Sequence, residues 1–498
     1  MNSNADCVNF DEAIKRCKFG KFNYILIALS GGVMACAFIE LTCVNFILPL
    51  AQCDLDMSST DKGILSSVGY LGVILSSHLW GFLADTKGRR STLIPSLLVA
   101  FISTVLSSLA NSFWLLVFLR FVNGCFITCT SSTTVAYLGE FHDNKNRARV
   151  LMTTFMLYSV MALLLPTFAL LTINREWSFD IDILHVTFKP WRLYLIICGI
   201  PSLCGALVLI FVLPESPKFT FSQGSIDGTL AIMQRMYQMN TGQSVESFNV
   251  KTIEKNDEFN ESLKSKSEGF FHFMWSQSVP LFKGSNLKNI LTACYIQFAV
   301  CNATNSFWTF LPEILNKLSL WSQASNEPAT VCEVFTSSTL MHQNQSSGEC
   351  LQKLEISTFL HIYEIAALYI ISYGIISLVI NKTGKLILIL LTVWTTGLAA
   401  LSLIFVNVPA ISSYLYMTLI AAGLSIGLIN ASTVELFPTS MRAMAICISL
   451  MVGRLGSTVG SVVIGMMINN YCSWTFLMPT FLLISSGFLA FTIPNISK

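Results

Sequence analysis

The stretch GFLADTKGRR, Gly81 to Arg90, is the part of the sequence that most limits how the chain can fold. It ends one long apolar run, with Asp85 near its last turn, and places Gly88, Arg89 and Arg90 before the next apolar run. This order predicts a tight turn between two membrane helices. Because cytoplasmic loops collect Lys and Arg, the turn is predicted to face the cytoplasm.

Two features of this region recur in the second half of the chain. INKTGK, Ile380 to Lys385, places Gly384 and Lys385 where the first copy has Gly88 and Arg89. A second repeat has the same spacing in both copies and comprises Glu140 with Arg147 and Glu435 with Arg442. The chain is therefore interpreted as two related halves.

Composition limits the class of protein. The chain has 498 residues, of which 53% are hydrophobic and 12% charged. Apolar runs long enough to cross a bilayer, at about 20 residues each, recur along it. With a net charge of +2 and basic residues spread over short loops, a nucleic-acid partner is not expected. No phosphate-binding loop, HExxH pair or dinucleotide motif is present in the sequence, so we expect no enzyme activity, no catalytic residues, no metal site and no cofactor.

The order of apolar runs predicts an all-α membrane protein with twelve transmembrane helices in two six-helix bundles. Both termini are predicted to lie in the cytoplasm. The predicted parts are an N-terminal tail (1–22), a first bundle (23–217), a cytoplasmic linker (218–286), a second bundle (287–493) with an outer loop (312–355), and a C-terminal tail (494–498).

The outer loop at 312–355 contains signals for two modifications. Cys332 and Cys350 share this polar segment, whereas most other cysteines lie inside apolar helices. Because disulfides form on the oxidising side of a membrane, we expect a bond between these two cysteines. The sequon at Asn344 predicts glycosylation on the same side.

Charged residues inside predicted membrane helices are functional candidates, because each costs about 2.5 to 3.5 kcal/mol at the bilayer centre. Glu40 in helix 1 has no basic residue one turn away, so it is a candidate for a cation- or proton-coupling role; the alternative is a glutamate that holds two helices together. Arg454 in helix 11 fits either a substrate cavity or a structural pair, and Arg120 in helix 4 fits a structural pair. His361 and Glu364 in helix 8 form either a proton-sensitive pair or part of a solvated rim.

The charges near the predicted turn favour a gate at the cytoplasmic face. Asp85 is expected to accept hydrogen bonds from a neighbouring helix N-terminus, where the helix dipole favours a negative group. Positive-inside loops alone would explain the arginines but not the repeated carboxylates. The predicted gating residues are Asp85, Gly88, Arg89, Glu140, Arg147, Glu435 and Arg442.

Together these motifs resemble the major facilitator superfamily, in its sugar and organic-ion porter branch, and most closely the synaptic vesicle glycoprotein 2 family. The stretches that carry the resemblance are GFLADTKGRR, RFVNG in helix 4, PESPKF at Pro214 to Phe219, WSF at Trp177 to Phe179, TVELFP at Thr433 to Pro438, and Glu40 nine residues before Pro49. The resemblance implies two six-helix bundles around a central cavity, with alternating access by rocking.

The chain also departs from the pattern that the resemblance implies. Ala37 stands where a second acidic residue is expected in helix 1, Thr304 and Asn305 replace a tyrosine pair in helix 7, and Asn430 replaces an acidic residue in helix 10. Such a site is less acidic than the family's, which argues against a divalent or strongly cationic substrate. The predicted substrate-binding residues are Glu40, Trp177, Thr304, Asn305, Asn430 and Arg454, although Trp177 fits an interfacial anchor equally well.

The sequence thus predicts a transporter that moves a small organic solute, such as an organic ion, a sugar or a related metabolite, by alternating access, with or without coupling to protons or another cation. The alternative is a non-transporting, synaptic-vesicle-type membrane glycoprotein that acts in binding or vesicle trafficking. The expected partners are the solute and the lipid bilayer, and the chain is expected to be a monomer. The expected location is the plasma membrane or an intracellular or secretory vesicle membrane.

Overall fold

The computed structural model describes residues 7–52, 54–184, 186–254, 279–324, 327–335, 354–437 and 442–492. Most of these residues are helical. Within these ranges, 11 helices are long and apolar enough to cross a membrane. The remaining predicted crossing, helix 7, is a continuous helix of 41 residues. Its apolar positions alternate with Asn, Gln, Thr and Ser, which lowers its hydropathy below that of the others.

The first half of the chain forms a bundle of helices that pack on one another. They are α1 (Lys21–Ala51), α2 (Ser59–Lys87), α3 (Arg89–Ser108), α4 (Phe113–Gly139), α5 (Asn144–Ala162 and Leu164–Thr172) and α6 (Pro190–Phe211). α4 packs on α2 and α3, α3 packs on α6, and α1 packs on α5. The approach of α2 to α4 depends on glycine, because a Cβ on Gly124 would lie 2.1 Å from the Gly69 carbonyl oxygen.

The second half repeats this arrangement. Its helices are α7 (Gly284–Ala324), α8 (Ile356–Thr383), α9 (Lys385–Ser402), α10 (Pro409–Ile420 and Leu424–Leu436), α11 (Arg442–Met467) and α12 (Cys472–Ala490). α7 packs on α10, α11 and α12, and α9 packs on α10 and α12. The predicted all-α architecture of two membrane bundles is confirmed.

The end of helix 7 differs from the prediction, which placed it at Pro312. α7 contains Pro312 and continues to Ala324, so the first part of the predicted outer loop is helical. Proline removes one backbone donor but does not end a helix whose later turns have tertiary partners. Here the Asn316 side chain accepts hydrogen bonds from the Glu355 backbone N–H (2.7 Å) and the Thr358 hydroxyl (3.3 Å), which tie this extension to α8.

Part of the predicted linker is folded against the N-terminal tail. It contains helices at Pro217–Ser222 and Ile226–Thr241, and its strand β4 (Thr252–Ile253) pairs in parallel with strand β1 (Cys7–Val8). The Asn240 side chain donates hydrogen bonds to the carbonyl oxygens of Cys17 (3.1 Å) and Lys18 (2.8 Å). The tail and the first part of the linker therefore form one small unit below the first bundle.

The two ends of the molecule can be named by their landmarks. The turn end contains Gly88 and Gly384, which have φ angles of 104° and 81° and each precede a helix. Residues with a side chain rarely adopt such φ angles, which explains why both copies of the repeat have glycine at this position. The disulfide end, at the opposite end of the helices, contains a bond between Cys332 and Cys472.

Candidate functional site

A cavity of about 550 Å³ lies between the two bundles, with walls from both. Most of its lining is apolar or aromatic. The aromatic residues that line it are Phe38, Phe46, Tyr70, Phe155, Tyr158, Trp308, Tyr369 and Tyr373. The volume falls within the range of about 300 to 1,000 Å³ that is typical of small-molecule sites.

Three of the predicted substrate-binding residues line this cavity: Thr304, Asn305 and Arg454. The Asn305 side-chain amide donates to the Ser457 hydroxyl of α11 at 2.8 Å, which holds α7 against α11. The Thr304 hydroxyl is buried and has no hydrogen-bond partner in the described part of the chain. These residues give the cavity its polar groups on the side of the second bundle.

Glu40 lies elsewhere, inside the first bundle, and is 1% exposed. Its carboxylate accepts hydrogen bonds from Thr104 of α3 (2.5 Å), Asn123 of α4 (3.1 Å) and Ser202 of α6 (2.8 Å). The Arg120 guanidinium donates to the Glu40 backbone carbonyl at 3.4 Å. Glu40 therefore ties four helices together and is not among the described residues that line the cavity.

At the turn end, four of the predicted gating residues come together. The Arg89 guanidinium contacts Asp85 at 2.8 Å and Glu140 at 2.9 Å. Gly88 directly precedes Arg89 and allows the turn that positions it. Burial raises the pKa of the Glu140 carboxyl above its usual range, and the nearby Arg89 guanidinium opposes that rise. The Asp85 side chain is 72% exposed, and the partner that the described residues give it is the Arg89 guanidinium and not a helix N-terminus.

Glu215, in the PESPKF stretch, takes the role that was predicted for Asp85. Its carboxylate accepts hydrogen bonds from the backbone N–H groups of Arg89 (3.0 Å), Arg90 (3.1 Å) and Ser91 (3.3 Å) at the start of α3. A helix N-terminus favours such an anion because its first N–H groups lack intrahelical partners. PESPKF was noted only as a helix stop and a family motif, so this contact was missed.

At the disulfide end, a buried ion pair joins the two bundles. Lys62 of α2 contacts Glu313 of α7 at 2.8 Å, and Lys317 contacts the same carboxylate at 3.2 Å. The side chains of Lys62 and Glu313 are 2% and 10% exposed. Sequence reasoning missed this cluster because Glu313 lay in the predicted outer loop, 312–355, and not in a membrane helix.

Further contacts at the same end cross between the bundles. Thr167 of α5 and Tyr363 of α8 are hydrogen-bonded through their hydroxyls at 2.7 Å. The Asn469 side chain donates to the Ser59 hydroxyl at 2.7 Å. The helices approach closely here, because a Cβ on Gly63 of α2 would lie 2.5 Å from the Ser461 carbonyl oxygen of α11. The bundles are thus in firm contact on this side of the cavity.

A family comparison agrees with this architecture. Residues 31–327, more than half of the chain, match the family described as Major Facilitator Superfamily. The chain belongs to the Major Facilitator Superfamily. Human synaptic vesicle glycoprotein 2A is 28% identical to it over 256 residues, which are 50% of this chain and 34% of the relative. Human synaptic vesicle glycoprotein 2B is 26% identical over 323 residues, 61% of this chain and 47% of the relative. The match therefore spans about a third to a half of the length of these relatives.

Solved structures of the same superfamily show the same fold. The xylose transporter XylE from E. coli in its inward open conformation has a TM-score of 0.66 and 14% identity, covering 95% of this chain and 96% of XylE. A D-xylose-proton symporter has a TM-score of 0.64 and 15% identity, covering 96% of this chain and 98% of that chain. The family predicted from the motifs is confirmed.

Two other predicted substrate-binding residues, Trp177 and Asn430, are not among the described residues that line the cavity. Trp177 packs on strands β2 (Phe179–Ile181) and β3 (Val186–Phe188), with ring-centroid distances of 5.9 Å to Phe179 and 6.1 Å to Phe188. The side-chain oxygen of Asn430 in α10 is buried without a hydrogen-bond partner. The position of Trp177 in a surface hairpin fits an interfacial anchor better than a substrate-binding residue.

The predicted Cys332–Cys350 bond is wrong. Cys332 is bonded to Cys472, at the start of α12 and 140 residues away, with a Cα–Cα distance of 5.5 Å. Proximity in one loop favoured Cys350, but the packing of α7 against α12 brings Cys472 to Cys332. Cys350 and the sequon at Asn344 lie outside the described residues.

The remaining predicted sites divide into two groups. The gating residues Arg147, Glu435 and Arg442 lie in helices with described backbones, but their side chains are outside the described part of the chain. His361 and Glu364 are paired at 2.9 Å, with the glutamate side chain 49% exposed. This exposure fits the solvated-rim alternative for the pair.

Proposed function

We propose that this protein moves a small organic solute across a membrane by alternating access. The observation that carries the proposal is the cavity between the bundles, which has polar groups in its lining and, among the described residues, three polar contacts between the bundles at the disulfide end: Lys62–Glu313, Thr167–Tyr363 and Ser59–Asn469. Such an arrangement suits a site that opens to one side at a time.

The basic loops of the sequence assign the turn end to the cytoplasm. In the conformation described, the bundles would then be closed on the outer or luminal side and would receive solute from the cytoplasmic side. Opening the outer side requires the Lys62–Glu313 pair to separate. The turn-end cluster of Asp85, Arg89 and Glu140 would then be the gate that meets the second bundle, together with Arg147, Glu435 and Arg442.

Solute recognition is assigned to Thr304, Asn305 and Arg454, since all three line the cavity. Asn430 would join them if α10 rotates during the cycle. Glu40 suits coupling better than solute contact, because its carboxylate is held by three neutral side chains and lies beside Arg120. A proton or cation at Glu40 would change how α1 packs on α3, α4 and α6.

A monomer with both termini in the cytoplasm would suffice for this cycle, since both walls of the cavity come from one chain. The membrane would be the plasma membrane or that of an intracellular vesicle. A non-transporting role in binding or vesicle trafficking is the competing hypothesis, favoured by the similarity to synaptic vesicle glycoproteins.

The test is uptake of labelled organic ions, sugars and other metabolites into proteoliposomes, with and without an inward proton gradient. The matched pair of variants is Ala366→Trp, which fills the cavity from α8, and Leu368→Trp, which changes an exposed position on the same helix. Uptake that is lost in Ala366→Trp and retained in Leu368→Trp supports transport through this cavity.

Coupling is tested in the same vesicles with Glu40→Gln, which we expect to retain solute exchange and lose gradient-driven accumulation. If folded protein moves no compound of the panel while its cytoplasmic segments bind other proteins, the non-transporting hypothesis replaces transport. Equal uptake by wild type and Ala366→Trp would show that solute takes another route.

A further inference from the structure

Arg454 is the charged residue among the described residues that line the cavity. In the part of the chain that the structure describes, the groups near enough to act on it electrostatically are Tyr70 and His78 of α2, Cys301 of α7 and Cys447 of α11, none of which is a carboxylate. Placing an ionised guanidinium inside a membrane protein without an anion is costly. An anionic ligand that binds beside the guanidinium would supply the missing partner and offset this cost.

A second, independent observation points to a ligand beside Arg454. Among the described residues, neither the side-chain oxygen of Gln297, which is 0% exposed, nor the hydroxyl of Thr304, which is 6% exposed, has a hydrogen-bond partner. Both residues line the cavity. They follow one face of α7, at helical spacing with Cys301 between them. Buried polar atoms in proteins normally have a hydrogen-bond partner, so two unpaired ones in a cavity wall are available to bind a ligand.

The rest of the cavity surface is suited to flat apolar groups. Phe38, Tyr70 and Tyr158 line it from the first bundle, and Trp308 and Tyr369 line it from the second. Aromatic side chains prefer offset-stacked or edge-to-face contacts with other rings, worth about 0.5 to 1.5 kcal/mol beyond area burial. A ring held between the bundles would contact both of them at once.

We propose that the transported solute is an aromatic monocarboxylate, whose carboxylate binds Arg454 and whose ring lies among the aromatic residues of the two bundles. This inference rests on the proposed transport function and specifies its substrate class. Thr304 donates a hydrogen bond to the carboxylate, and the Gln297 oxygen accepts one from a polar ring substituent such as an indole N–H or a phenol hydroxyl. An arginine can bind a carboxylate through two parallel hydrogen bonds, which fixes orientation as well as charge.

Other solute classes fit this lining less well. An organic cation would lie beside Arg454 with no carboxylate among the described lining residues to attract it. A sugar presents hydroxyl groups around its whole ring, each of which needs a partner when buried. In the described lining, the side-chain polar groups are outnumbered by apolar and aromatic ones. A single anionic group on an apolar body matches the distribution observed.

The test compares acids with their neutral amides, using purified full-length protein in detergent and in proteoliposomes. The probes are indole-3-acetate and 4-hydroxyphenylacetate, each beside the corresponding amide. We expect the acids to raise the melting temperature and to be taken up, with affinity about 100-fold above that of the amides, in keeping with roughly 3 kcal/mol for a desolvated charge pair. This comparison needs no variant, so it stays informative if a substitution impairs folding.

The variant series is Arg454→Met and Arg454→Lys, with Arg175→Gln, an exposed arginine outside the cavity, as the control. We expect Arg454→Met to abolish the preference for acid over amide, Arg454→Lys to restore part of it, and Arg175→Gln to retain it in full. Equal binding of acid and amide, or an unchanged preference in Arg454→Met, would overturn the inference. Uptake of sugars or cations without uptake of these acids would overturn the substrate class and leave transport itself standing.

Discussion

The two ends of the molecule use buried charges in different ways. At the disulfide end, Lys62 and Glu313 belong to different bundles, so their contact exists only while the bundles are closed there. At the turn end, Arg89 and Glu140 belong to the first bundle, and Glu215 lies just after its last helix. A rocking motion of one bundle against the other would therefore leave their contacts intact. Under the proposed transport cycle, the first set would control which conformation is populated, and the second would keep one bundle rigid.

The strongest test of this difference is to lock the disulfide end. The Asn469 side chain donates to the Ser59 hydroxyl at 2.7 Å, so Ser59→Cys with Asn469→Cys can form a disulfide between α2 and the segment after α11. We expect oxidation to stop uptake completely, because the outer side can no longer open, and reduction to restore it. The measurement is solute uptake before and after reductant. Each single cysteine variant, treated identically, controls for reduction of Cys332–Cys472, and full uptake by the cross-linked protein would show that this end does not move.

A smaller effect is expected from removing the Lys62 charge, which forms the ion pair between the two bundles. Lys62→Met leaves the Glu313 carboxylate paired with Lys317 alone, so we expect a cost below the roughly 3 to 5 kcal/mol of a buried charge that loses its whole compensation. We expect a lower melting temperature and slower cross-linking between the cysteines at 59 and 469. Lys288→Met, an exposed lysine of α7 outside this cluster, is the control. Unchanged cross-linking in Lys62→Met would mean that the ion pair does not hold the end closed.

The smallest effects belong to the turn end, where the contacts stay within one bundle. Glu215→Gln weakens three backbone hydrogen bonds at the start of α3, and we expect it to lower the free energy of unfolding by about 1 to 2 kcal/mol. Asp85→Asn changes an exposed ion pair, worth about 0.5 kcal/mol or less. Thermal unfolding measures both. Glu215→Gln should not alter the cross-linking rate at the disulfide end, because Glu215 is not part of the proposed gate, and an altered rate would show that its contacts are coupled to that end.

Two turns in the chain show how far local sequence determines structure. Gly88 and Gly384 both adopt positive φ, and each directly precedes a helix, in line with the turn that the sequence predicted at Gly88. Glycine at such positions relieves a steric conflict between neighbouring atoms of the backbone and side chain, which does not depend on the rest of the fold. The apolar runs similarly determine helices, because a bilayer requires each crossing segment to satisfy its own backbone hydrogen bonds.

Glu40 and Arg454 show where sequence reasoning reached its limit. Both are rare charges in apolar helices, and both were predicted to contact the solute. Arg454 lines the cavity, whereas Glu40 points into the first bundle toward Thr104 and Ser202. Which face of a helix is turned toward the cavity depends on how all its neighbours pack, and α1 is apolar around its whole circumference.

The sequence by itself determined the membrane class, the two related halves, the helices and the turn at Gly88, since these follow from hydrophobic length and from steric limits acting over a few residues. Only the tertiary structure decided that Cys332 bonds to Cys472, that Lys62 meets Glu313 across 251 positions, and that Arg454 faces the cavity with no carboxylate among the described lining residues. These contacts depend on which helix faces come together, and that is set by packing over the whole bundle.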